Sequence, residues 1–222
     1  RAHRVIQLFM NGGPYQGDFF DPKPALHRFA GQRPQAVQLR TERATAGLLP
    51  SPFRFYRRGE NGIQVSELVP HLARQIDDVC VLRAVYTDNP NHGPALLLMN
   101  NGTIVPRRPS MGAWMLYGLG TENQNLPGYV VVAPNQPAQG APLWDASFLP
   151  ASYQGTCVTD LARPIANLKN GSSSPDVQRR GLDLIGTLNR FHREASPNRD
   201  ELDARIASFE LAFRMQMNSP EA

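Results

Sequence analysis

Lysine is almost missing from this sequence. Lys23 and Lys169 are the only two, so the basic side of the balance is carried by arginine. Cysteine is equally scarce. Cys80 and Cys157 permit one disulfide at most and exclude a cysteine metal cluster. No apolar run reaches about 18 residues, so no segment reads as a membrane-spanning helix. Walker A, GxSxG, HExxH and CxxC patterns are all absent, which removes the P-loop, the nucleophile elbow and the common zinc signatures. No basic run is interleaved with aromatics, so no nucleic-acid partner is expected. No internal repeat is found, which excludes a solenoid.

What remains suits one domain of ordinary size, or a piece of a larger one: 222 residues, 41% of them apolar. The net charge is +4 and the pI about 9.4. Two readings fit this excess: arginines on a solvated surface, or a surface that handles anions. Cys80 lies in an apolar segment and reads as a buried small hydrophobe. The chain opens on Arg1, which fits removal of an N-terminal segment and any export signal with it.

Hydrophobic patterning predicts alternating strands and helices. Arg4 to Met10 reads as a buried strand stopped by Gly12-Gly13. Residues 20–62 carry much Pro, Gly and Arg and read as a long irregular excursion with a short helix near Ala25. Val65 to Gln75 reads as a helix with Val65, Leu68, Val69 and Leu72 on one face, and Asp78 to Val85 as a second strand. Thr87 to Gly93 is a polar loop. Pro94 to Asn100 follows as a short buried helix. Ser110 caps a further helix that Gly118 and Gly120 end. Tyr129 to Ala133 is a third strand, and residues 134–174 read as loop. Ser174-Pro175 and Ser196-Pro197 each start a helix. The stripes Val177, Gly181, Leu184, Ile185, Leu188, Phe191 and Leu202, Ile206, Phe209, Phe213, Met217 predict a helical hairpin over 175–218. The fold class expected is α/β with a mainly parallel sheet.

In an open parallel sheet, ligands bind beyond the carboxyl ends of the strands. The first strand would deliver Asn11, Gly12 and Gly13 to that edge, and the second Thr87, Asp88, Asn89, Asn91 and His92. The Gly-Gly bend lets backbone pass close to a ligand, and Asp18 and Asp21 return carboxylates nearby. Each residue has a structural alternative. Asn11 can cap a turn, Asp21 can start one before Pro22, and Asp88 can close an Asx-turn. His92 can be a satisfied structural histidine or a metal-binding or catalytic one. His3, His27, His71 and His192 read as surface residues. The helix after His92 presents free N–H groups and a positive dipole end, where a phosphate or sulfate could dock beside Gly93.

The stretches "LFMNGGPYQGDFFDPKP", "SPFRF", "VSELVPHLARQIDDVCVLRAVYTDNPNHGPALLLMNNG", "RPSMGAWMLYGLGTENQNLPGYVV" and "ELDARIASFELAFRMQM" carry a family resemblance. They resemble an uncharacterised sulfatase-like family, domain of unknown function 1501, of the alkaline-phosphatase superfamily. The resemblance implies an α/β/α sandwich and a divalent-metal site at the strand ends. It also implies a Ser, Thr or formylglycine nucleophile at a helix N-terminus, and an exported protein, periplasmic or secreted. The superfamily's first-strand Asp-Gly corresponds here to Asn11-Gly12. Counting back from Gly102, its nucleophile position falls on His92. An amide oxygen is a poorer ligand for a hard cation than a carboxylate, and histidine is not an alcohol. The sulfatase Cys-x-Pro-Ser-Arg signature is absent, and "RRPSMG" reads as a helix cap. The resemblance further implies that the chain is the N-terminal portion of one such domain, with metal ligands drawn from beyond it.

Taken together, these features lead to the expectation of a metal-dependent hydrolase of small anionic esters or sulfated glycans. His92 and Asp18 would hold the metal, with Asp88 and Asn11 supporting. Asn11, Gly12, Gly13, Asn91 and Gly93 would line the substrate. An imidazole ligand favours Zn²⁺ or Mn²⁺ over Ca²⁺ or Mg²⁺. Thr87 and Ser110 are the nucleophile candidates, and attack by metal-bound water is preferred over a covalent route. The competing class is the same fold with a decayed site that binds an anion or glycan. A third is a purely structural surface protein. The chain alone is expected to be inert.

Overall fold

The computed structural model describes residues 3–33, 46–165, 174–195 and 200–218. The chain divides into two compact units, Arg1–Asp88 and Asn89–Ala222. Its architecture is mixed α/β.

The first unit is organised around an antiparallel hairpin, β1 (Phe55–Arg58) and β2 (Ile63–Ser66), with Phe55 opposite Ser66 and Arg58 opposite Ile63. β-branched Val65 is 1% exposed and packs inward with Ile76, at 2%. Ile76 sits on a 3-10 helix, Leu72–Asp78. The Asp77 carboxylate accepts the Glu60 N–H at 2.9 Å, and Glu67 accepts the Arg54 N–H at 3.1 Å, so acidic side chains tie the hairpin down at both ends. The N-terminal stretch meets the hairpin at a main-chain bond, Ser66 N–H to the Phe19 carbonyl at 2.9 Å. A short helix, α1 (Pro24–Arg28), begins on proline as expected near Ala25.

Several sequence expectations are corrected in this unit. The helix expected over Val65–Gln75 is a strand end followed by a 3-10 helix. Pro70 lies in its middle and cannot donate a helical hydrogen bond. The Ser66 hydroxyl also accepts the Leu68 N–H at 3.3 Å, which turns the chain at that point. Arg4–Met10 and Asp78–Val85 are not strands. A strand is stabilised by a neighbouring backbone, and neither segment has one among the described residues. Their apolar side chains are exposed instead: Ile6, Leu8, Leu82 and Val85 all project outward. Cys80, expected to be buried, is exposed for the same reason. The excursion 20–62 also holds β1, whose Arg57-Arg58 pair obscured any strand alternation.

The second unit begins with α2 (His92–Asn101), two residues ahead of the expected start, and Gly102 closes it. α3 (Met111–Leu119) is capped by the Ser110 hydroxyl, which accepts the Ala113 N–H at 3.4 Å, and Gly120 ends it. β3 (Val130–Val132) pairs in parallel with β4 (Thr156–Val158), Val131 opposite Cys157. Strand β4 lies in a region read as loop, because a strand of three residues leaves no periodic signal. The described sheets are therefore two two-stranded pairs, one antiparallel and one parallel, rather than one mainly parallel sheet.

The core of this unit is Leu96, Leu97, Leu143 and Trp144, with Tyr129, Val131 and Cys157 packed against it. Asn101 is buried and its amide donates to the carbonyls of Arg108 at 3.0 Å and Pro142 at 2.9 Å, fastening the end of α2 to the loop before Trp144. The Tyr129 ring lies on Gly112, where any side chain would collide with it. Burial pushes the Tyr129 phenol up, against a smaller downward effect from its hydrogen bond to Ser110. Both cysteines are free thiols.

Helices α4 (Pro175–Ala195) and α5 (Asp200–Asn218) form the expected antiparallel pair. Arg193 meets Asp203 at 2.9 Å near the bend, and Arg179 meets Glu210 at 2.7 Å further along. The Ser174 hydroxyl accepts the Val177 N–H at 3.4 Å, as its cap position predicts. The Ser196-Pro197 start lies outside the described residues. One detail differs from expectation: the two apolar stripes do not meet. The α5 stripe does face α4, since Arg179 lies 5.2 Å from the centre of the Phe213 ring. On α4, however, the side towards α5 is polar, through Gln178, Arg179 and Arg193. The α4 stripe is left exposed.

Candidate functional site

The predicted site residues divide between the two units. Asn11, Gly12, Gly13, Asp18, Thr87 and Asp88 belong to the first, and Asn91, His92 and Gly93 to the second.

In the first unit, Met10 to Gly13 forms a tight turn closed by the Gly13 N–H on the Met10 carbonyl at 3.1 Å. Gly12 has φ 82° and Asn11 a negative φ, the sign pattern of a type II turn. The Gly-Gly bend is thus a turn requirement, and Asn11 occupies its exposed corner. Asp18 ends a 3-10 turn, Gln16–Asp18, and is half-buried. Asp21 is paired with Lys23 at 2.5 Å, so its charge is already matched. Thr87 and Asp88 lie on an exposed stretch. Among the described residues no three His, Cys, Asp or Glu side chains gather into a group that could hold a metal ion.

In the second unit the residues around His92 do converge, at the first turn of α2. Asn89, rather than Asp88, makes the Asx-turn: its side-chain oxygen accepts the Asn91 N–H at 2.9 Å. The Asn91 carbonyl accepts the first helical bond, from Ala95 at 3.0 Å, but its side chain does not cap the helix. Pro94 has no N–H to give. Among the described residues, the N–H groups of His92 and Gly93 are left without a protein acceptor in that turn. They point along the positive end of the helix dipole. The Gln139 side-chain amide lies directly on Gly93, in the space a Cβ would fill. Gln139 was invisible to sequence reasoning. It sits far along the chain in a Pro- and Gly-rich loop, with no motif around it. His92 itself is exposed.

Two other features of this unit were not foreseen. A cleft of about 560 Å³ lies at the far end of α2, lined by Leu98, Met99, Met111, Trp114, Met115 and Leu119. Beside it, Trp114 stacks edge-on with Tyr117 at 6.0 Å and Phe148 at 5.7 Å, and Tyr117 with Tyr153 at 5.3 Å. No helix among the described residues is long and apolar enough to cross a membrane.

The class defined so far is a mixed α/β protein with an uncapped helix start flanked by amide donors. The family described as "Protein of unknown function (DUF1501)" matches residues 2–222, and the chain belongs to that family. No curated protein and no solved structure matches it.

Proposed function

We propose that the chain recognises the anionic group of a sulfate or phosphate ester at the start of α2, as the N-terminal part of an exported sulfatase- or phosphatase-like hydrolase. The observation that carries this reading is the uncapped first turn of α2. Two main-chain N–H groups, of His92 and Gly93, are free of acceptors among the described residues, and the Gln139 amide lies against Gly93. Oxyanions fit such a turn, because partial positive charge and directed N–H groups coincide. The absence of a side chain on Gly93 lets the Gln139 amide lie against the main chain at the first turn. The exposed imidazole of His92 stands at the mouth and can donate to a second oxygen. The substrate class is a small anionic ester or a sulfated glycan.

The alternative is a member with a decayed catalytic site that keeps anion or glycan affinity. It is favoured by the replacements at two positions, Asn11 where a carboxylate would bind a metal and His92 where an alcohol would attack. Calorimetric titration of the chain with sulfate, phosphate and an aryl sulfate tests the binding that both readings share. Turnover of aryl sulfate and phosphate esters by the full-length gene product then separates them. Hydrolysis abolished by chelation supports the hydrolase, and saturable binding without turnover supports the binding protein. No binding of any of these anions sinks both.

A further inference from the structure

The exposed stripe of α4 has the pattern of an interface. Val177, Leu184 and Phe191 recur every seven residues, with Gly181 and Leu188 at the intervening positions of the same seam. Val177 is 50% exposed, Leu184 60%, Leu188 57% and Phe191 63%. The helix keeps α5 on its other side, through Gln178, Arg179 and Arg193, so the seam is unobstructed by its own hairpin. An apolar row running from Val177 to Phe191, about 21 Å of helix, is more than scattered surface hydrophobicity.

We propose that this face of α4 binds the same face of a second copy of the chain, in antiparallel orientation. Two features of the sequence along the seam select that partner. The first is size. In a parallel pair Gly181 would face Gly181 and leave a hole, while Phe191 would face Phe191. The antiparallel register that sets Leu184 against Leu188 of the second copy sets Gly181 against Phe191, small against large, on both sides of the two-fold axis. The second is charge. Arg180, Thr187 and Glu194 flank the seam on one edge. In the same register Thr187 meets its own copy on the axis, and Arg180 meets Glu194 of the second copy, twice by symmetry. A parallel pair would bring Arg180 near Ile185 and forgo that match. Sterics and charge therefore choose the same isologous contact.

The test is sedimentation equilibrium of the intact chain over a concentration series, with circular dichroism as a check on helix content. The wild type is expected to form a dimer whose population rises with concentration, and Leu188→Asp a monomer of unchanged helicity. Arg180→Glu places like charges together twice and should weaken the dimer roughly tenfold. The double variant Arg180→Glu, Glu194→Arg should restore it. These two positions are solvent-exposed, so they carry the test even if Leu188→Asp perturbs folding. A wild type that stays monomeric, a dimer indifferent to both single changes, or a double variant no better than Arg180→Glu would each overturn the proposal.

Discussion

Among single residues, Asn101 and His92 represent opposite cases. Asn101 is 6% exposed and satisfies two carbonyls with its amide. Asn101→Ala strands both acceptors and should cost about 1–3 kcal/mol in chemical denaturation. His92 is exposed and bears no core contact. His92→Ala should stay within about 0.5 kcal/mol of the parent by the same measure. If His92 is a ligand in the full-length protein, the same change should strip stoichiometric Zn²⁺ or Mn²⁺ and leave the fold largely intact. His92→Gln, which can still donate a hydrogen bond but ligates poorly, should behave alike. Retention of metal by both variants would remove His92 from the ligand set. Sequence alone singled out His92 and Gly93 because they open a helix after a polar loop. It offered no route to Gln139, which is brought to Gly93 by the tertiary path of a loop.

Between elements, the α4–α5 pair is held largely by polar contacts, and this makes it sensitive to acid. The Arg179 guanidinium, bonded to Glu210 at 2.7 and 2.8 Å, holds the Glu210 carboxyl below its ordinary 4.5. A depressed folded-state value means that the contribution is complete above the unfolded value and is lost as pH falls through the folded one. Thermal melts should therefore fall in acid below about pH 4.5, and Glu210→Gln should flatten that part of the profile. A parent and variant with parallel profiles would contradict the assignment. Packing on α5 predicts a second contrast. Met215 is 5% exposed and Met215→Ala should cost about 2–5 kcal/mol. Phe209 is 39% exposed, lies under Arg205, and Phe209→Ala should cost clearly less.

The elements legible in the sequence were those with local signals. Ser110 before α3, Pro94 within α2, Gly120 after α3 and the seven-residue rhythm of α4 all act within a turn or two. The apolar runs at 4–10 and 78–85 read as strands because a short apolar run looks the same whether or not a partner strand lies beside it. Pairing decides between them, and pairing is not local. The same limit hid β4 and the facing of α4, whose polar side, not its apolar one, meets α5.

At the scale of the whole molecule, no group of three His, Cys, Asp or Glu side chains that could hold a metal ion is found among the described residues. The purified 222-residue chain is therefore expected to be inert toward aryl sulfates and phosphates, with or without added divalent metal. Robust metal-dependent turnover would show that the chain assembles a complete site. The central claim, that an anion is held at the start of α2, is tested most directly by amide NMR of the chain titrated with sulfate. The account predicts saturable shifts centred on the His92 and Gly93 amides and the Gln139 side-chain amide, weakened in Gln139→Ala. Shifts that do not saturate, or that centre elsewhere while these three signals stay still, would contradict it.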